Sequence, residues 1–149
     1  MNRKPIALVS GAAAIATAAI IATSGSAQSP TPSPTTLHLV EKAQKTVGFF
    51  PRHRPRQGNL LGFGDTVSGD DTGTDRTVCT VIGKDQAVCT SVLRLSKGTI
   101  TAQGVGAPKS TKRPFAITGG TGAYDGARGT ELLTDTSETS DVLDITLLP

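Results

Sequence analysis

The sequence predicts an all-β domain, either a sandwich or a barrel, and three observations carry that reading. Short runs of apolar and β-branched residues recur at hairpin spacing with glycine-containing turns between them. The last run, residues 142–148 (VLDITLL), alternates Leu143, Ile145 and Leu147 with Asp144 and Thr146, the period of a strand with one buried face. No stretch after residue 45 carries a helical apolar stripe. Strands without helices bury their apolar faces against a second sheet or by closing one sheet on itself.

The 149-residue chain has room for one domain. Its start reads as an export signal rather than as part of that domain. Arg3 and Lys4 precede an apolar, alanine-rich run (residues 6–22), and Gly25-Ser26-Ala27 supplies the small residues a signal peptidase accepts. The expectation is a signal peptide over residues 1–27, cleaved after Ala27; a retained membrane anchor is the alternative. No twin arginine lies near the start and no cysteine follows the run to take lipid, so the expected product is secreted by the general route, with no stable membrane span. Cleavage removes Arg3 and Lys4 and leaves 13 basic against 12 acidic residues, where the whole chain has 15 and 12. Near neutrality takes away the main support for a nucleic-acid partner. Only residues 51–56 (PRHRPR) are locally basic; they read as a proline-stiffened solvated loop, with contact to an anionic surface as the alternative.

Residues 28–36 (QSPTPSPTT) form an extended linker, and the folded domain is expected over residues 37–149. Residues 37–43 (LHLVEKA) start strand-like, and residues 46–50 extend or follow that strand. The chain then reads as irregular through Gly64, under Pro51, Pro55, Gly58 and Gly62. Residues 69–75 (GDDTGTD) read as a turn-rich acidic loop. A calcium loop is disfavoured there, because the D-x-[DN]-x-[DN]-G spacing and the closing glutamate are missing.

Residues 77–82 and 86–95 form the clearest hairpin, joined by Gly83-Lys84-Asp85. Setting Cys79 opposite Cys89 places Val81 against Ala87 and Ile82 against Gln86. Direct cross-strand neighbours lie near disulfide range, so the two cysteines predict a bridge. Closing a loop of that length stabilises by roughly 2.5–3 kcal/mol on the chain-entropy argument. A nucleophilic Cys79 would instead need a free thiolate and a base. Strands follow at residues 99–105, 114–118 and 129–133. Between the last two lies FAITGGTGAYDGARGT (residues 115–130), whose Gly119, Gly120, Gly122, Gly126 and Gly129 predict positive φ, a bulge or close backbone approach. It is no phosphate cradle: the P-loop lysine is missing, and Asp125 stands where a dinucleotide turn needs glycine.

The runs GTDRTVCTVI (residues 73–82), KGTITAQG (97–104) and FAITGGTGAYDGARG (115–129) together resemble the allene oxide cyclase family and the related dirigent proteins, over residues 73–149. The resemblance implies an eight-stranded antiparallel β-barrel with an apolar cavity, complete or shortened around residues 64–75, often assembled as a homodimer or homotrimer. It implies that Glu41 and Cys79 line the cavity and that Arg128 is a pocket residue.

The candidate catalytic residues are thus Glu41, a general acid or base if buried, and Arg128; the candidate ligand-binding residues are Tyr124 and Arg128. Each has a plainer alternative: Glu41 at the surface beside Lys42, Arg128 paired with Asp125, and Tyr124 as a plug. His38 and His53 lack ligand spacing, so no metal and no cofactor are expected. The function expected first is a secreted barrel binding a small apolar or phenolic molecule. The alternatives are an isomerase or cyclase, or a dirigent-like protein that guides stereochemistry, and beyond those a structural cell-surface barrel.

Overall fold

The computed structural model describes residues 33–48, 56–107 and 110–149. The expected signal peptide, most of the linker and most of the basic run lie outside these residues. Eight strands follow in order: β1 Thr35–Gly48, β2 Leu60–Gly69, β3 Gly73–Gly83, β4 Gln86–Leu95, β5 Gly98–Gly106, β6 Lys112–Gly122, β7 Gly129–Ser137 and β8 Ser140–Leu147. Each pairs antiparallel with the next, and β8 pairs back onto β1 through Leu39↔Leu143, so the sheet closes into a barrel. The expected all-β antiparallel barrel is therefore present, in its complete eight-stranded form.

Two stretches read as irregular are strand. β2 pairs with β3 from Leu60↔Thr80 to Val67↔Gly73, across Gly62 and Gly64. Gly64 makes room instead of breaking the strand: a Cβ there would meet Arg76 Nη1 at 2.9 Å. The loop expected over residues 69–75 shrinks to residues 70–72, and Asp75 belongs to β3. Backbone pairing on both sides of a closed sheet outweighs the turn-forming composition of these segments.

β1 starts at Thr35, and one bulge at Gln44 joins the two strand-like runs expected here. In the β3–β4 hairpin Cys79↔Cys89 and Val81↔Ala87 pair as expected, and the cysteines form a disulfide. Gly83, not Ile82, faces Gln86. Ile82 is bulged out and the turn tightens to Lys84-Asp85.

Hairpin turns alternate between the two barrel ends, and the ends differ. At one end Leu39, Leu93, Ile100, Leu143 and Ile145 fill the interior almost completely. Tyr124, from the β6–β7 turn, packs into this core, and its hydroxyl donates to Asp71 Oδ2 at 2.8 Å. Asp71 lies in the β2–β3 turn and also accepts from the Thr72 N–H and from the N–H and hydroxyl of Ser96, after β4. Three turns are thereby tied together across the closed end. These donors, Ser96 first, hold the Asp71 carboxyl well below the usual carboxylate range. The glycine-rich turn serves this end. Gly122 has φ +67°, and a Cβ on it would lie 2.5 Å from the Lys97 carbonyl oxygen. At Gly120 a Cβ would lie 2.3 Å from the Tyr124 carbonyl oxygen.

Candidate functional site

The other half of the barrel is open. A cavity of about 480 Å³ lies there, reached from the end that carries the β5–β6 and β7–β8 turns. Leu61, Phe63, Phe115 and Leu133 supply apolar wall, and both disulfide cysteines face the cavity. The lining also holds six acidic side chains, Glu41, Asp65, Asp75, Asp135, Glu138 and Asp141, against one basic side chain among the described residues, Arg113.

These acids reach the interior because strand alternation puts them there. Asp75, Thr77 and Cys79 share one face of β3, the face that buries the disulfide. Asp65 on β2 is the direct cross-strand neighbour of Asp75. Glu41 sits on β1, opposite Asp141 of β8. Carboxylate oxygens of Glu41, Asp65 and Asp75 lie within 4.8 Å of one another. Glu131 on β7 is buried beside this group, 2% exposed.

The members differ in how they are satisfied. Asp75 accepts from the Ser91 hydroxyl on Oδ1 and the Thr77 hydroxyl on Oδ2, both at 2.6 Å. Arg113 grips Asp135 with both guanidinium arms and so is engaged at the rim. Glu41 is only 3% exposed, and its Oε1 has no hydrogen-bond partner; Glu131 Oε2 has none either. Burial, then the neighbouring Asp75 and Asp65, pushes the Glu41 carboxyl up to about 9. Burial, then Asp75, pushes Glu131 up to about 8. Asp65 and Asp75 are raised mainly by burial; in Asp75 the Ser91 and Thr77 hydrogen bonds oppose the rise. Asp141 is raised by burial and then by Asp135. At neutral pH Glu41 is thus a carboxylic acid that carries its proton, the state a proton donor needs.

Of the residues singled out from sequence, Glu41 and Cys79 line the cavity. Arg128 does not. It is exposed in the β6–β7 turn at the closed end, where its guanidinium donates to the Pro149 carbonyl oxygen. Tyr124 is buried at the same end and engaged with Asp71, so it too lies off the cavity wall. His38 pairs with Asp144 at 2.7 Å on the outer surface, and His53 lies outside the described residues. The sequence reading missed Asp65, Asp75, Arg113, Glu131, Asp135 and Asp141. Parity from Cys79 would have turned Asp75 inward.

No protein-family model matches the sequence, and no curated protein matches it significantly. Solved structures do match in fold. A pyocyanin demethylase is 22% identical with a TM-score of 0.69, over 76% of this chain and 99% of that one. The pterocarpan synthase dirigent protein PsPTS1 is 18% identical with a TM-score of 0.62, over 79% and 96%. AbnU, an exo-specific intermolecular Diels-Alderase, is 15% identical with a TM-score of 0.65, over 78% and 98%. The resemblance read from the sequence holds at the level of fold: the chain carries the eight-stranded β-barrel that dirigent proteins share with these two enzymes.

Proposed function

We propose that this chain is an exported barrel that binds a small conjugated molecule in its open half and moves protons on it, as an isomerase or cyclase. The observation that supports this reading best is Glu41: buried, holding its proton at neutral pH, with an unpartnered oxygen and a place on the wall of a ligand-sized cavity. Glu41 donates its proton to one atom of the bound molecule, and Asp65, also on the cavity wall, takes a proton from another. The molecule leaves with its atoms unchanged in number and its double bonds moved; proton exchange through solvent resets the two carboxyls. The cavity walls hold the reactive conformation and keep bulk water out. The relatives in fold are named for a demethylation, a pterocarpan synthesis and a Diels–Alder reaction, all on small molecules, which agrees with chemistry inside such a barrel. Export agrees with the Cys79–Cys89 disulfide.

The test is untargeted. Wild-type protein and Glu41→Gln are incubated with the small-molecule extract of the producing cells, and mass spectrometry after chromatography follows compounds that change retention at unchanged mass. Wild type is expected to convert one such compound, and Glu41→Gln to do so about 10²- to 10⁴-fold more slowly. Equal conversion by both proteins sinks the proton-transfer role. Retention of a co-purified molecule without any conversion leaves a binding barrel.

A further inference from the structure

We propose that the molecule this cavity selects carries a positive charge: an aromatic or conjugated body with a cationic nitrogen, its charged end among Glu41, Asp65 and Asp75 and its body against Phe63, Phe115 and Leu61. The inference rests on the cavity being the ligand site and names the class of ligand it takes.

Charge and unsatisfied atoms in the cavity both favour a cation. Among the described residues six acids and one base line the cavity, and the base is already committed to Asp135. No lysine or free arginine among the described lining residues could receive an anion. Asp75 takes hydroxyl donors on both of its oxygens, the arrangement that favours a charged carboxylate. Asp65 faces it directly across the strands, and like charges set opposite one another repel. A neutral apolar ligand would leave that repulsion in place and seal it from water. A cationic nitrogen relieves it and offers N–H donors to the carboxyls on the wall, among them Glu41, whose Oε1 has no partner in the protein. The aromatic walls suit the same ligand, because ring faces attract cations while burying the body attached to them. The acids are therefore more than a cluster of charges. One of them, Glu41, is buried with an oxygen that no protein group satisfies, and its side chain lines an open, ring-walled space.

Three probes of one shape separate charge from fit: 1-naphthylmethylammonium (cation), 1-naphthalenemethanol (neutral) and 1-naphthaleneacetate (anion). Their binding to the wild-type protein is measured at neutral pH and low salt by naphthalene fluorescence and calorimetry. The cation is expected to bind about 10- to 100-fold tighter than the alcohol, the range of a hydrogen bond to a charged group, and the acetate weakest. Asp65→Asn should remove most of the preference for the cation, and its circular dichroism spectrum and melting transition report that the variant folds. Asp75→Asn gives a second reading where its loss of the Thr77 and Ser91 contacts is tolerated. The proposal is overturned if alcohol or acetate binds wild type as tightly as the ammonium, or if Asp65→Asn keeps the preference. It is equally overturned if calcium chloride alone raises the melting temperature and excludes the ammonium, since the acids then serve a metal ion. Alcohol binding without preference for the cation removes the ligand class but keeps the cavity as a ligand site; binding of none of the three removes both.

Discussion

Glu41 concentrates what is unusual in this interior: an acidic side chain with an unpartnered oxygen, in a domain of a kind whose net stability is about 5–15 kcal/mol. Its effect on stability has a definite sign. The folded-state value lies above the ordinary 4.5, at about 9, so the stability linked to its proton is full below about 4.5 and is lost as pH rises to about 9. Glu131 acts in the same sense up to about 8. Asp71 acts oppositely: its depressed carboxyl stabilises above its unfolded value and loses that effect as the solution is acidified through the folded one. The melting temperature should therefore be highest in mildly acidic buffer and decline from pH 5 to pH 9. Glu41→Gln should flatten that decline and raise the melting temperature at pH 9 by roughly 5 °C, since about 1 kcal/mol moves a domain of this size by several degrees. A profile unchanged by the substitution, followed by circular dichroism, would mean that Glu41 ionises normally in the fold.

The β3–β4 hairpin is both brace and wall, because the disulfide that ties its strands also forms part of the cavity lining. Reduction should lower the melting temperature by roughly 10 °C, from a loop-closure contribution of about 2.5–3 kcal/mol. Identical melting of verified oxidised and reduced samples would remove that role. In the β6–β7 turn Gly122→Ala should cost about 1–3 kcal/mol, readable in urea unfolding, because a side chain at φ +67° would also press on the Lys97 carbonyl. This hairpin was legible in the sequence down to the Cys79–Cys89 register, since alternation and a short turn fix pairing locally. β2 was not, because glycines such as Gly62 and Gly64 look like loop until their long-range pairing with β3 is known. The acids were hidden for a related reason. Alternation assigns charged residues to the outside of a strand, and Asp65, Asp75 and Glu131 stand at inward positions. Such departures from the pattern are expected where a protein gives up stability for a site. Arg128 was misplaced by the opposite error: its turn matched a family motif, but hairpin alternation carries that turn to the end away from the cavity.

The barrel as a whole divides into an end that holds it together and an end that opens. Tyr124, Asp71 and Ser96 lace three turns at the first, while Glu41, Asp65 and Asp75 sit at the base of the second. Perturbing one end should leave the other unaltered. Tyr124→Phe should lower stability by about 1–2 kcal/mol, the usual effect of deleting a buried hydrogen bond. It should leave naphthalene-probe affinity where it was. A parallel loss of affinity, measured below the melting transition, would show that the two ends are coupled. The glycine-dense stretch that dominates the sequence therefore belongs to the foundation, and the proposed chemistry falls to scattered acids with no shared motif.

β1 enters and β8 leaves at the closed end, where Thr35 pairs with Leu147 and Gly129 pairs with Leu147 from the other side. The mouth of the cavity lies at the opposite end, with the β5–β6 and β7–β8 turns. A tether, a reporter domain or an immobilising surface joined through either terminal strand would thus attach behind the barrel and leave its opening directed outward. The protein could be mounted as a sensor with its binding face toward the sample.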